Sequence, residues 1–211
     1  MKTTAFFPLN RRAVLAGTSA LMLGGCSDLL GPSEAPRLYV LKPTMAPMTP
    51  GTKVSWALSI PIPNASAGLD TQRIAIMHPP ANLDYYANAA WSDGLPALVQ
   101  TALLEAFENS GRIDAVSRDS DAARMDYILA ADIRDFEARY DTQDGAPTAV
   151  VHIDVQLIDA VKRNIVAHFA AAEESTAAAN SVDAAVAAFD EALSQARTKI
   201  VEWALNAPPS A

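Results

Sequence analysis

Apolar positions recur along this chain with two different periods. Leu95, Leu98, Val99, Ala102, Leu103, Ala106 and Phe107 follow one another at helical steps, the spacing that lays side chains along one face of an α-helix. Asp93 stands near the N-cap, Pro96 sits in the first turn and Gly111 follows the end, so a helix is predicted from Leu95 to about Asn109. A second stripe, Val182, Val186, Phe189, Leu193, Ala196, Ile200 and Trp203, advances by alternating steps of four and three behind a cap at Asn180 or Ser181. It would draw a seam along roughly 36 Å of helix at about 1.5 Å per residue.

Between the two helices the period drops to two. Met125, Tyr127, Leu129, Ala131 and Ile133 alternate with Asp126, Ile128, Ala130, Asp132 and Arg134; the odd positions from Ala149 to Leu157 and from Ile165 to Phe169 continue the pattern. Alternation with one apolar face predicts an antiparallel meander covered on one side, with turns near Asp144-Gly145 and Val161-Lys162. The long final helix is the expected cover, although the same seam would also serve a coiled-coil partner. Earlier strands are predicted over residues 37–42, 53–60, 72–77 and 83–91, with Pro61 and Pro63 closing the second of them. Together these elements predict one α/β domain with a mostly antiparallel sheet packed by helices.

The N-terminus follows a different grammar. A basic start with Lys2, Arg11 and Arg12 precedes an apolar stretch from Ala13 to Leu23 and the small pair Gly24-Gly25. The stretch is shorter than the roughly 20 residues a bilayer span needs, so cleavage is expected rather than a permanent span. Leu23-Gly24-Gly25-Cys26 resembles a lipobox, in which the cysteine thiol takes up a diacylglyceryl group. Each acyl methylene then contributes about 0.8 kcal/mol of membrane affinity, enough for two or three chains to hold the protein on a membrane. Ser27 after the cysteine points to the outer membrane by the enterobacterial sorting rule. Asn10-Arg11-Arg12 reads equally as a twin-arginine export signal or an ordinary basic leader. The expected segments are a signal peptide over 1–25, a lipidated tether over 26–36, a domain over 37–206 and a short tail over 207–211.

Charge narrows the partners. The chain carries −8, and loss of Lys2, Arg11 and Arg12 with the leader leaves −11, which disfavours nucleic acid. Cys26 is the single cysteine, so neither an intramolecular disulfide nor an all-cysteine metal site can form.

No nucleophile elbow, phosphate-binding glycine loop or metalloprotease motif is present. His78, His152 and His168 are the only histidines. A hairpin turn centred on Val161 would place Asp154 opposite His168 with His152 on the same face: a partial metal site, or simply a solvated cross-strand pair. The residues over 141–145 lack the ligand spacing of a calcium loop and read as a turn. Asp114, Asp119, Asp121 and Asp126 read as solvated charges. No catalytic, cofactor or metal residue is therefore assigned.

Four runs carry a resemblance: Leu38-Tyr39-Val40-Leu41; Leu69-Asp70-Thr71-Gln72-Arg73-Ile74-Ala75; Leu83-Asp84-Tyr85-Tyr86-Ala87-Asn88; and Trp91-Ser92-Asp93-Gly94-Leu95-Pro96. They resemble the auxiliary lipoprotein of ABC-type transport systems, the PqiC-like family associated with MCE-domain lipid transporters. Ala90 departs from the pattern, since the family often has a basic residue there. The resemblance implies a compact α/β domain with a mixed, mostly antiparallel sheet, similar to the N-terminal domain of TolB, and a non-catalytic role in moving lipids or other hydrophobic molecules across the envelope. It also implies an MCE-domain protein and an ABC permease and ATPase as partners, with a homo-oligomer left open. Tyr39, Tyr85, Tyr86 and Trp91 are candidate aromatic anchors for a partner, against the plainer reading that each belongs to the core, as aromatics in strands usually do. Two other readings stand beside this one: a structural lipoprotein of an outer-membrane assembly machine, and a periplasmic hydrolase with a pocket around His152 and His168.

Overall fold

The computed structural model describes residues 35–44, 48, 51–118, 125–142 and 144–207. The expected leader, Cys26, most of the expected tether, Asp119, Asp121, Gln143 and the last four residues lie outside the described residues. The folded unit begins at Pro36.

Strands β1 (Arg37–Tyr39), β2 (Leu58–Ile60), β3 (Asn64–Ala65), β4 (Arg73–His78) and β5 (Asn82–Trp91) lead to helix α1 (Leu95–Asn109). Then come β6 (Val116–Arg118), β7 (Tyr127–Arg139), β8 (Thr148–Asp159), β9 (Ile165–Thr176) and helix α2 (Val182–Asn206). The spine is β7. Along one side it pairs antiparallel with β8 over its whole length, and β8 pairs antiparallel with β9. Along its other side three short parallel neighbours take turns: β2 at Tyr127, β3 at Asp132 and β4 from Glu137. β5 then pairs with β4, β1 with β5, and β6 with β2.

The antiparallel half follows the alternation in the sequence. Leu129, Ile133, Val151, Ile153, Val155 and Leu157 all point to one face and are at most 2% exposed. The parallel half is not legible in the same way, because a strand of two or three residues is too short to show a period. Of the run over 53–60 only Leu58–Ile60 is strand, with one bridge from Val54 to Ile113. Of the run over 37–42 only Arg37–Tyr39 pairs.

Two register findings correct the expectations. β7 continues five residues past Arg134, and a bulge between Ile133 and Asp135 reverses its parity, so that Phe136, Ala138 and Tyr140 become the buried set. A bulge inserts one unpaired residue and exchanges the faces beyond it. In the β8–β9 hairpin the turn occupies 160–164, with Arg163 at φ 61°, and a second irregularity follows Leu157. His168 therefore faces Gln156, while Asp154 faces Ala170. The same shift leaves Ile165 56% exposed.

α2 covers the sheet's apolar face, as its seam predicted. Ser181 caps it, its hydroxyl accepting from the Ala184 N–H at 3.2 Å. Phe189, Leu193, Ala196 and Ile200 are fully buried, and Trp203 stacks on Phe169 of β9 at 5.6 Å. Trp91, Phe136 and Phe189 form the aromatic centre, the last two stacked at 4.9 Å and Trp91 meeting both edge-on. α1 has Gly94 at its N-cap, one residue after Asp93, with no side-chain cap; Pro96 stands in its first turn and Gly111, at φ 63°, follows it.

Candidate functional site

The opposite face of the sheet carries the polar residues. Because of the bulge in β7, Asp132, Arg134 and Asp135 crowd against β8. Arg134 donates from Nε to Asp154 Oδ2 at 2.8 Å and lies 3.5 Å from Asp132. His152 sits between two carboxylates, with Nδ1 3.1 Å from Asp135 and Nε2 3.2 Å from Asp154. A neutral imidazole can donate to one of them and an imidazolium to both. The Arg134 hydrogen bond is the main reason that the Asp154 carboxyl is held below the usual carboxylate range, with the His152 charge adding to it.

Beside this cluster lies a cleft of about 170 Å³ lined by Asn64, Asp132, Arg134, Asp154, Gln156 and His168 among others. Small-molecule sites usually measure about 300–1,000 Å³ and are mainly apolar. At about 170 Å³ this cleft is below that range. His152 and His168 stand on the same face, as the alternation implied, but His168 has no acidic neighbour across the strand. Among the described residues no group of three or more His, Cys, Asp or Glu is arranged to hold a metal.

Deeper in the same face Glu137 is 8% exposed and accepts from the Phe136 N–H at 2.9 Å. Burial, reinforced by the Asp135 charge, pushes its carboxyl up to about 7. Sequence inspection missed it because the bulge moved it to an unexpected face.

The four aromatic candidates separate cleanly. Trp91 is 1% exposed. Its indole belongs to the core and offers no contact surface, which corrects its place among the partner anchors: the end of β5 turns inward against α2. Tyr85 and Tyr86 are half-buried neighbours on opposite faces of β5. Tyr85 donates to the Gly68 carbonyl at 3.0 Å with the Arg73 guanidinium 3.6 Å from its ring centre. The Tyr86 hydroxyl meets that of Tyr140 at 2.8 Å, and burial raises its pKa. Tyr39 donates to Asp183 at 2.8 Å.

That last bond belongs to an arrangement not foreseen from the sequence. The segment after β1 lies along α2 and is held there mainly by its backbone. Asp183 takes Arg37 and Tyr39, Asp190 accepts from the Lys42 N–H at 2.8 Å, Ser194 donates to the Thr44 carbonyl, and Arg197 donates to the Pro43 carbonyl. Arg197 is 2% exposed and also donates to Ala102 in α1 at 3.3 Å. The signal in the sequence is the polar row Asp190, Ser194 and Arg197 at steps of four and three on one side of an apolar helix.

Comparison with known proteins fits this geometry. The family described as the ABC-type transport auxiliary lipoprotein component matches residues 39–201. Protein bll6063 of Bradyrhizobium diazoefficiens is 31% identical over 154 residues, which are 73% of this chain and 41% of that protein. The chain thus spans less than half the length of that relative. The crystal structure of protein XCC0632 from Xanthomonas campestris superposes with a TM-score of 0.73 at 30% identity, covering 80% of this chain and 95% of the other. The hypothetical protein CT253 of Chlamydia trachomatis shares the fold at 9% identity, with a TM-score of 0.51 and coverage of 73% and 100%.

Proposed function

The chain belongs to the family of ABC-type transport auxiliary lipoprotein components, and from that premise we propose that it is the non-catalytic lipoprotein subunit of an MCE-type system moving lipids or other hydrophobic molecules across the bacterial envelope. The family match over residues 39–201 carries this reading. The structure supports it by what the domain offers. The cleft beside His168 is small, His152 is tied to two carboxylates, and His168 faces a glutamine.

In this reading Cys26 carries the acyl chains and holds the domain on the periplasmic side, at the outer membrane. The partners are an MCE-domain protein and the permease and ATPase of the same system. Tyr39, Tyr85 and Tyr86 remain the aromatic contacts to try first, since each is only half-buried.

A genetic comparison tests the role. Deleting this gene and deleting the permease of the cognate system should produce the same envelope permeability defect, and deleting both should be no worse than either. Additive defects would contradict a shared pathway.

A further inference from the structure

On the face of the sheet turned away from α2, the register sets side chains of three neighbouring strands in one row. Leu38 of β1 stands beside Ala90 of β5, and Ala90 stands opposite Arg73 of β4; residues paired across strands project to the same face. Trp91 and Ile74, one position further along β5 and β4, are at most 1% exposed and point the other way, into the core. Tyr85 and Leu83 lie opposite Ala75 and Met77 of β4, and so share the face of Arg73.

The Arg73 guanidinium lies 3.6 Å from the centre of the Tyr85 ring, and the Tyr85 hydroxyl is fixed by its bond to the Gly68 carbonyl at 3.0 Å. A cation held over an aromatic face is oriented but not neutralised. The chain carries 24 acidic residues against 16 basic ones, and Arg37, Arg134 and Arg139 are each paired with a carboxylate. Among the described residues no carboxylate is paired with Arg73. Its N–H fork is therefore open to a carboxylate brought from outside. The flanks are apolar: Leu38 is 61% exposed and Leu83 40%, and the small Ala90 leaves a low point between Leu38 and Arg73. At about 4.8 Å between strands and about 3.4 Å per residue, the patch measures roughly 10 by 14 Å.

We propose that this patch docks a partner protein through a short segment that sets an Asp or Glu side chain on Arg73 and apolar side chains over Leu38 and Leu83. Arginine and tyrosine at the centre of an apolar surround is the composition of an interface hot spot. An anionic lipid surface is met by clusters of cations, whereas on this face β1, β4 and β5 present Arg73 alone. Tyr39 and Tyr86 point to the opposite face, towards Asp183 and Tyr140, and are not part of the patch. The patch rests on its own geometry and not on the transport role.

The test places a photoreactive benzophenone amino acid at position 83 of the full chain and irradiates intact cells. The partner peptide recovered in the cross-link and sequenced by mass spectrometry should carry Asp or Glu among apolar residues. Arg73→Glu should lower the yield about tenfold or more. Arg73→Lys keeps the charge but loses the fork and the stacking, and should lower it severalfold. Replacing the partner's carboxylate by arginine should restore the cross-link to Arg73→Glu. Arg73 is exposed, so both variants should keep the wild-type circular dichroism; if Arg73→Glu unfolds, the comparison of Arg73→Lys with wild type decides. No protein product, a product that is lipid or a second copy of this chain, or a yield indifferent to position 73 would overturn the proposal. A partner from outside any transport system would leave the patch standing and contradict the transport role.

Discussion

The Tyr39 hydroxyl donates to the Asp183 carboxylate at 2.8 Å and ties the first strand of the domain to the first turn of its last helix. Tyr39 thus begins a row of contacts that Asp190, Ser194 and Arg197 continue along α2. Their partners beyond β1 are main-chain groups, so the segment is held whatever its side chains are. The combined change Asp190→Ala and Ser194→Ala should therefore raise hydrogen exchange over residues 40–44 while α2 stays protected. Unchanged exchange there would show that the row does not hold the segment.

Arg197 tests the same contact from the buried side. Its guanidinium serves carbonyls from two separate segments, and its stem packs between helices. Arg197→Ala should cost about 2–3 kcal/mol through lost packing and lost charge-assisted hydrogen bonds. Arg197→Met, which keeps the stem, should lose less. Chemical denaturation of both variants gives the comparison.

Trp91 and Tyr86 should respond to truncation very differently. Trp91→Ala removes the indole from the aromatic centre and should destabilise the fold by about 3–5 kcal/mol. Tyr86→Phe removes one hydroxyl from a hydrogen-bonded pair and should cost only about 1 kcal/mol. A small loss for Trp91→Ala would mean that Phe136 and Phe189 do not depend on the indole for their packing.

Two carboxylates should give stability a pH dependence of opposite sign. Glu137 is raised from its ordinary 4.5 to about 7 by burial and by Asp135, so the folded state favours its protonated form. Its contribution is complete below about 4.5 and is lost as the pH rises through about 7. Asp154 is lowered, first by its bond from Arg134; its contribution is present above the ordinary carboxylate range and is lost on acidification. Thermal unfolding between about pH 5 and 8, compared in wild type and Glu137→Gln, should show the variant relatively more stable towards the alkaline end. Parallel curves would contradict the burial of a titrating Glu137.

How far the fold is legible in the sequence depends on the length of each pattern. The seam from Val182 to Trp203 and the alternation from Ala149 to Leu157 repeat often enough to define both helix and meander. β2 and β3 repeat too little, and their parallel pairing with β7 is decided by contacts distant in sequence. The bulge at Arg134 is one inserted residue, invisible in composition, yet it sends Glu137 to the polar face and Phe136 to the core. The aromatic candidates were found as a set, but only the turn of β5 towards α2 separates buried Trp91 from the partly exposed tyrosines.

The proposed lipid anchor at Cys26 gives a direct prediction. Cys26→Ala should move the protein from the membrane fraction to the soluble fraction and abolish labelling by a palmitate analogue. Retention on the membrane without label would show that something other than an acyl chain holds it.

A transport role requires that transporter components touch this protein in the cell. Mild cross-linking of intact cells, purification of this chain and mass spectrometry of the recovered proteins should identify an MCE-domain protein, a permease or an ATPase of the same system. Their recovery should fall when Tyr39, Tyr85 or Tyr86 is replaced on the exposed side. Recovery of outer-membrane assembly proteins in their place, with no transporter component, would contradict that role.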